Sequence, residues 1–105
     1  MSLGWFMFGN RQHSLTLAVG NSRGDGTYYA TVSDFQVGDS RQVWKWEGDW
    51  LVSKWNTEYV LDGSSDLYII SKRNKSKYQR WRFSMKNIMF HVLNILSQGS
   101  LMDFW

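Results

Sequence analysis

The chain reads as an all-β domain, and three features of its sequence predict this. Its apolar segments are short, β-branched or aromatic, and punctuated by Gly, Asn, Asp and Ser. They recur about every 8–12 residues with turn signals between them, the spacing of a sandwich or barrel. Aromatic residues make up 17% of the 105 residues, as seven Trp, six Phe and five Tyr. That much ring surface supports a substantial core within one small domain spanning residues 1–105.

Taken in order, Trp5 to Phe8 is the first candidate strand, closed by the turn signal Gly9-Asn10. Leu15 to Val19 alternates in polarity, and Gly20 to Gly26 reads as a long turn. Tyr28 to Val32, Val43 to Trp46, Trp50 to Ser53, Tyr59 to Leu61, Leu67 to Ser71 and Trp81 to Phe83 complete the clearer strands. Ile88 to Leu96 has enough apolar length for a helix, but its Met89 to Leu93 core fits a strand equally and is assigned as one.

Composition excludes several kinds of chemistry. With no Cys there are no disulfides, thiolate nucleophiles or cysteine metal sites. His13 and His91 are too few and too far apart to suggest a metal centre. No apolar run approaches membrane-spanning length, and the opening residues lack a signal-peptide pattern. There is no His paired locally with an acid and no Gly-rich phosphate loop. Asp34 with Asp39, and Glu47 with Asp49, lie in turn-like segments where solvation explains them. The expectation is a non-catalytic domain without a cofactor.

An internal repeat organises the strands. Gln42-Val43-Trp44 recurs as Gln79-Arg80-Trp81, each followed two positions on by an aromatic residue, Trp46 and Phe83. Upstream, Leu15 to Gly20 answers Tyr59 to Gly63, and Ser100 to Asp103 is a third echo. Strand openers recur as Trp5-Phe6-Met7, Trp50-Leu51-Val52 and Ile88-Met89-Phe90. The chain therefore divides into a first unit at about 5–48, a second at about 49–86 and a partial third at about 87–105.

A threefold four-strand unit carrying Gln-x-Trp resembles the ricin-type β-trefoil, the lectin fold of ricin B chains and carbohydrate-binding modules. The resemblance runs from Trp5 to Asp103 and implies a Trp in a shared core. The fourth-strand Gln-x-Trp of a third lobe is absent. A degenerate third lobe, an excerpt from a longer chain, or completion by a partner chain each account for this. Met1-Ser2-Leu3 reads as an appended leader and favours an excerpt.

The resemblance also implies a sugar site. In such lectins the Asp that follows the second-strand Leu accepts hydroxyl bonds, an Asn before the Gln-x-Trp assists, the Gln braces the Asp, and a third-strand ring stacks on the sugar. The first unit has Ala18 and Arg41 at the Asp and Asn positions and reads as structural. The third keeps Asp103 beside Phe104 and Trp105 but lacks the other parts. The second is the candidate: Asp62 as acceptor, Gln79 as its brace, and Tyr68 or Tyr78 as platform, with Tyr78 standing where Asn is expected. The competing role for Asp62-Gly63 is a plain turn.

The net charge is +3, and seven of the twelve cations fall in the acid-free stretch 72–86. Lys72, Arg73, Lys75 and Lys77 are the candidate polyanion site, against the alternative of a solvated turn. Trp44 and Trp81 are assigned to the core; a core position is favoured for each of Trp46, Trp50 and Trp55 as well, with one of the three the candidate for an exposed ring. Arg23-Gly24-Asp25 and the sequon Asn74-Lys75-Ser76 are short triplets that arise cheaply and carry no weight here. The expected partner is a carbohydrate; the alternative is a trefoil that has lost sugar binding and acts as a protein or polyanion interaction module through the basic 72–86 stretch, an acidic glycan being one such polyanion. Self-association through the open strand edges of Ile88 to Trp105 is expected as well.

Overall fold

The computed structural model describes residues 4–10, 14–65 and 68–81. The strands are β1 (Gly9–Asn10), β2 (Leu15–Ser22), β3 (Tyr28–Asp34), β4 (Trp44–Glu47), β5 (Trp50–Ser53), β6 (Tyr59–Asp62) and β7 (Ile69–Lys72). Two single-turn 3-10 helices, Ser40–Gln42 and Lys77–Gln79, are the helical elements among the described residues. All seven strands form one antiparallel sheet in the order β1-β2-β3-β7-β6-β5-β4. The all-β expectation holds.

The sheet curls until its two ends meet. Phe6, just before β1, bridges to Trp44 of β4, and the two residues exchange backbone hydrogen bonds of 2.8 Å in both directions. Phe6 then lies against Trp46, with ring centroids 6.4 Å apart.

Alternation in β4 turns Trp44 and Trp46 inward, as the spacing predicts. Leu17, Val19, Ala30, Leu51, Tyr59, Leu61, Ile70 and Trp81 complete the core with them. Its flank is an edge-to-face cluster in which Tyr28 and Trp55 stand 4.8 Å apart and Tyr59 contacts both. In β2 the expected alternation fails: Thr16 through Val19 are all buried, Leu17 and Val19 in the core and Thr16 with its hydroxyl donating to the Phe8 carbonyl at 3.0 Å.

Several boundaries differ from expectation: β3 runs on to Asp34, β4 is shifted by one residue to Trp44–Glu47, and β6 includes Asp62. Gly9-Asn10 is a strand rather than a turn, and of Trp5 to Phe8 only Phe6 makes a bridge. Gly9 is needed for close approach: a Cβ there would collide with the Leu15 carbonyl oxygen. Strand β2 runs on to Ser22 through an irregularity between Val19 and Ser22, so the turn narrows to the residues before β3. There Thr27 N–H donates to Asp25 Oδ1 at 3.0 Å, while Gly24 and Gly26 take positive φ. Strand β7 begins at Ile69, and Tyr68 precedes it. The third-unit features, including Ile88 to Leu96, Asp103 and the predicted edge pairing of Ile88 to Trp105, lie outside the described residues, as do Arg82, Phe83 and Lys86.

The two repeated units are built alike. Trp44 Nε1–H donates to the Leu17 carbonyl at 3.0 Å, and Trp81 Nε1–H donates to the Leu61 carbonyl at 2.8 Å. Each Gln-x-Trp begins in a 3-10 turn. Asp39 Oδ1 accepts from Arg41 N–H in the first, and Ser76 Oγ accepts from Tyr78 N–H in the second. These caps direct Gln42 and Gln79 inward, to 1% and 0% exposure.

Candidate functional site

Three elements carry the second unit's polar centre: the end of β6 supplies Asp62, β7 supplies Ser71, and the second 3-10 turn supplies Gln79. Asp62 Oδ2 accepts from Ser71 Oγ at 2.7 Å and from Gln79 Nε2 at 3.0 Å. Oδ1 accepts from Ser64 N–H at 2.7 Å, so the same carboxylate also shapes the turn at Gly63. Gln79 completes the network by donating to Ser71 Oγ and the Lys72 carbonyl, and its Oε1 accepts from Asn74 N–H at 2.8 Å.

Electrostatically this is a carboxylate kept ionised inside the protein. Burial of Asp62, which is 4% exposed, works to raise its pKa. The hydrogen bonds from Gln79, Ser64 and Ser71 together outweigh burial and hold it below the ordinary carboxylate value. Three of about four acceptor positions on the carboxylate are filled by the protein itself.

The first unit repeats this arrangement without the acid. Gln42 Nε2 donates to Ser33 Oγ at 2.8 Å and to the Asp34 carbonyl, while Oε1 accepts from Gln36 N–H at 2.9 Å. Ala18, buried, takes the place of Asp62. Arg41 lies over the Trp55 ring, 5.8 Å from its centroid.

Both predicted platforms approach Gly63, Tyr78 through its backbone and Tyr68 through its ring. The Gly63 N–H donates to the Tyr78 carbonyl at 3.0 Å. A Cβ on Gly63 would sit 3.0 Å from the Trp81 ring and 3.3 Å from Tyr68. Tyr68 is half-buried and packs against Trp81 at 5.9 Å, whereas Tyr78 is 49% exposed. The structure thus joins Asp62 to Gln79 and sets Tyr68 and the Tyr78 backbone carbonyl beside Gly63, while the Tyr78 residue itself is exposed, with Lys77 over its ring.

The basic stretch divides in two. Lys72, Lys75 and Lys77 are exposed and pair with no carboxylate among the described residues. Arg73 does not stand with them. Its guanidinium holds Glu47 through two nitrogens at 3.2 and 3.4 Å, donates to the Thr57 carbonyl, and covers the Trp50 ring at 4.9 Å. The Arg73 hydrogen bond keeps the Glu47 carboxyl below its usual range.

Sequence reasoning missed this last association and the groove beside it, walled by the Glu47–Trp50 turn and by Asn74, Lys75 and Arg80. Ser33 and Ser71 were also overlooked, although Val32-Ser33-Asp34 and Ile70-Ser71-Lys72 each place a serine, after a β-branched residue, nine and eight residues before the Gln of Gln-x-Trp, which could have marked them. Among the described residues no group of three His, Cys, Asp or Glu side chains is placed to hold a metal ion. A scan of protein-family models finds no match to this chain, and searches of curated proteins and of solved structures likewise find none.

Proposed function

We propose that the chain is a ricin-type β-trefoil module that binds carbohydrate and carries out no reaction. The observation that carries this reading is the buried hydrogen bond from Gln79 to Asp62, beside Trp81 anchored on Leu61. It is the bracing that the resemblance implies for a sugar-binding lobe. The matching Gln42–Trp44 arrangement in the first unit supports the repeat on which the trefoil reading depends. In this reading a sugar hydroxyl takes the acceptor position left on Asp62 Oδ1, and Tyr78 offers its exposed ring to the C–H face.

A glycan array with wild type and Asp62→Asn side by side tests it, with far-UV circular dichroism confirming that the variant folds. The expected result is saccharide-selective binding by wild type that the variant loses. Equal binding by both proteins, or none by either, overturns the assignment.

A second reading rests on the exposed Lys72, Lys75 and Lys77, which suit a polyanion. Binding of that kind weakens steeply with salt and with Lys75→Glu/Lys77→Glu, and is indifferent to Asp62→Asn.

A further inference from the structure

We propose that the groove between the β4–β5 turn and the loop following β7 binds an acidic saccharide, one bearing a carboxylate or a sulfate. The proposal rests on the carbohydrate reading but places the ligand away from Asp62, with a different set of side chains.

The groove encloses about 470 Å³, within the range of small-molecule sites. Its two walls are fastened together at three points. Trp81 N–H donates to the Asp49 carbonyl at 3.0 Å, Trp50 Nε1–H donates to the Asn74 carbonyl at 3.2 Å, and Arg73 holds Glu47. Gly48, at φ +60, makes the tight turn that sets Asp49 and Trp50 side by side. The shape therefore exists before any ligand arrives, which lowers the cost of ordering on binding.

The charges select the ligand. Glu47 is already engaged by Arg73, with Lys45 at 3.9 Å, so it offers little to a newcomer. Among the described residues, the Asp49 carboxylate has neither hydrogen bond nor ion pair, and Lys75 and Arg80 are exposed cations without an acidic partner. Two free cations facing one free carboxylate favour an anion that also carries hydroxyl donors. The Trp50 ring, pinned by its N–H and covered by Arg73, adds an aromatic surface for the apolar face of a sugar. A neutral sugar leaves both cations unused. A phosphate polymer brings many charges past Asp49 and Glu47, which repel it.

Titration of the ¹⁵N-labelled protein with sialyllactose, sulfated lactose and lactose tests the proposal, following the Trp50 indole N–H and the Gly63 amide. At least one acidic saccharide is expected to shift the Trp50 indole and to bind about tenfold more tightly than lactose. Lys75→Glu/Arg80→Glu is expected to weaken that binding about tenfold, and Asp49→Asn to weaken it as well. Arg23→Glu/Arg41→Glu, an equal change of charge away from the groove, is expected to leave it within about twofold. Several results overturn the groove: lactose binding as tightly, equal losses in the two charge-reversed variants, or tighter binding of oligo-deoxythymidylate with the same Trp50 shift. Saccharide shifts confined to Gly63 overturn it while leaving the carbohydrate reading intact. No saccharide shift at either probe overturns both.

Discussion

The first and second repeated units share a frame and differ in one buried side chain. Both set an inward glutamine on a 3-10 turn, bond it to a strand serine and to the next residue's carbonyl, and anchor a tryptophan indole on a leucine carbonyl. In the first unit the buried Ala18 adds no polar group at that place, and Gln42 bonds only neutral partners: Ser33, the Asp34 carbonyl and Gln36 N–H. In the second, Asp62 brings a charge into the same place and recruits Gln79, Ser71 and Ser64 to hold it. The difference separates what the glutamine does for folding from what it does for a carboxylate. Gln42 shows that it is worth burying for structure alone.

The largest expected effect tests the shared frame. Trp44→Ala should cost about 4–5 kcal/mol and Trp81→Ala about 3 kcal/mol, because Trp44 is wholly enclosed and Trp81 keeps a little exposure. Urea unfolding midpoints measure both, and the reverse order would make the second unit the keystone of the core.

Next come the glutamines. Gln79→Ala leaves a buried charge short of a donor and should cost about 3 kcal/mol, against about 2 kcal/mol for Gln42→Ala, which strands only neutral groups. Equal losses in urea titrations would mean that Asp62 draws little from its brace.

The charge itself is tested by pH. The folded-state pKa of Asp62 lies below the ordinary 3.8, so its stabilisation is present at neutral pH and is lost as pH falls from 3.8 through the lowered value. Asp62→Asn should cost about 1–2 kcal/mol at neutral pH and flatten stability over that acid range. Thermal melts of variant and wild type across this range isolate Asp62 from Glu47 and Asp25, whose pKa values are also lowered, the first chiefly by Arg73 and the second chiefly by Thr27.

The smallest effect belongs outside both networks. Glu47→Gln, at a partly exposed ion pair, should change stability by at most about 1 kcal/mol, less in high salt, as denaturation at two ionic strengths would record.

What the sequence made legible follows from which interactions repeat along it. Trp44 and Trp81 were assigned to the core because each belongs to a phrase that occurs twice, and Gln79 was assigned to Asp62 because the resemblance carried by that phrase implies it. The strand Trp50–Ser53 was placed correctly from its apolar run between turn residues. Gly9-Asn10 was misread because a glycine required for close strand contact has the same letter as one required for a turn. Arg73 was grouped with its basic neighbours because charge is visible in sequence, whereas its approach to Glu47 depends on β4 and the segment after β7 meeting in space. The groove escaped notice for the same reason: Glu47 and Asp49 look like solvated turn residues until Asn74, Lys75 and Arg80 are set opposite them.

The pair of hydrogen bonds between Phe6 and Trp44 works as a clasp on the ring of strands. Because side chains alternate along a strand, a slip of one residue there would point Trp44 outward and remove its indole from Leu17. The clasp thus fixes the diameter of the ring as well as its closure, through a segment that contributes little else to the sheet. Slow hydrogen exchange at the Trp44 amide would then time the opening of the whole ring, and a fast rate would mark the seam where it parts first.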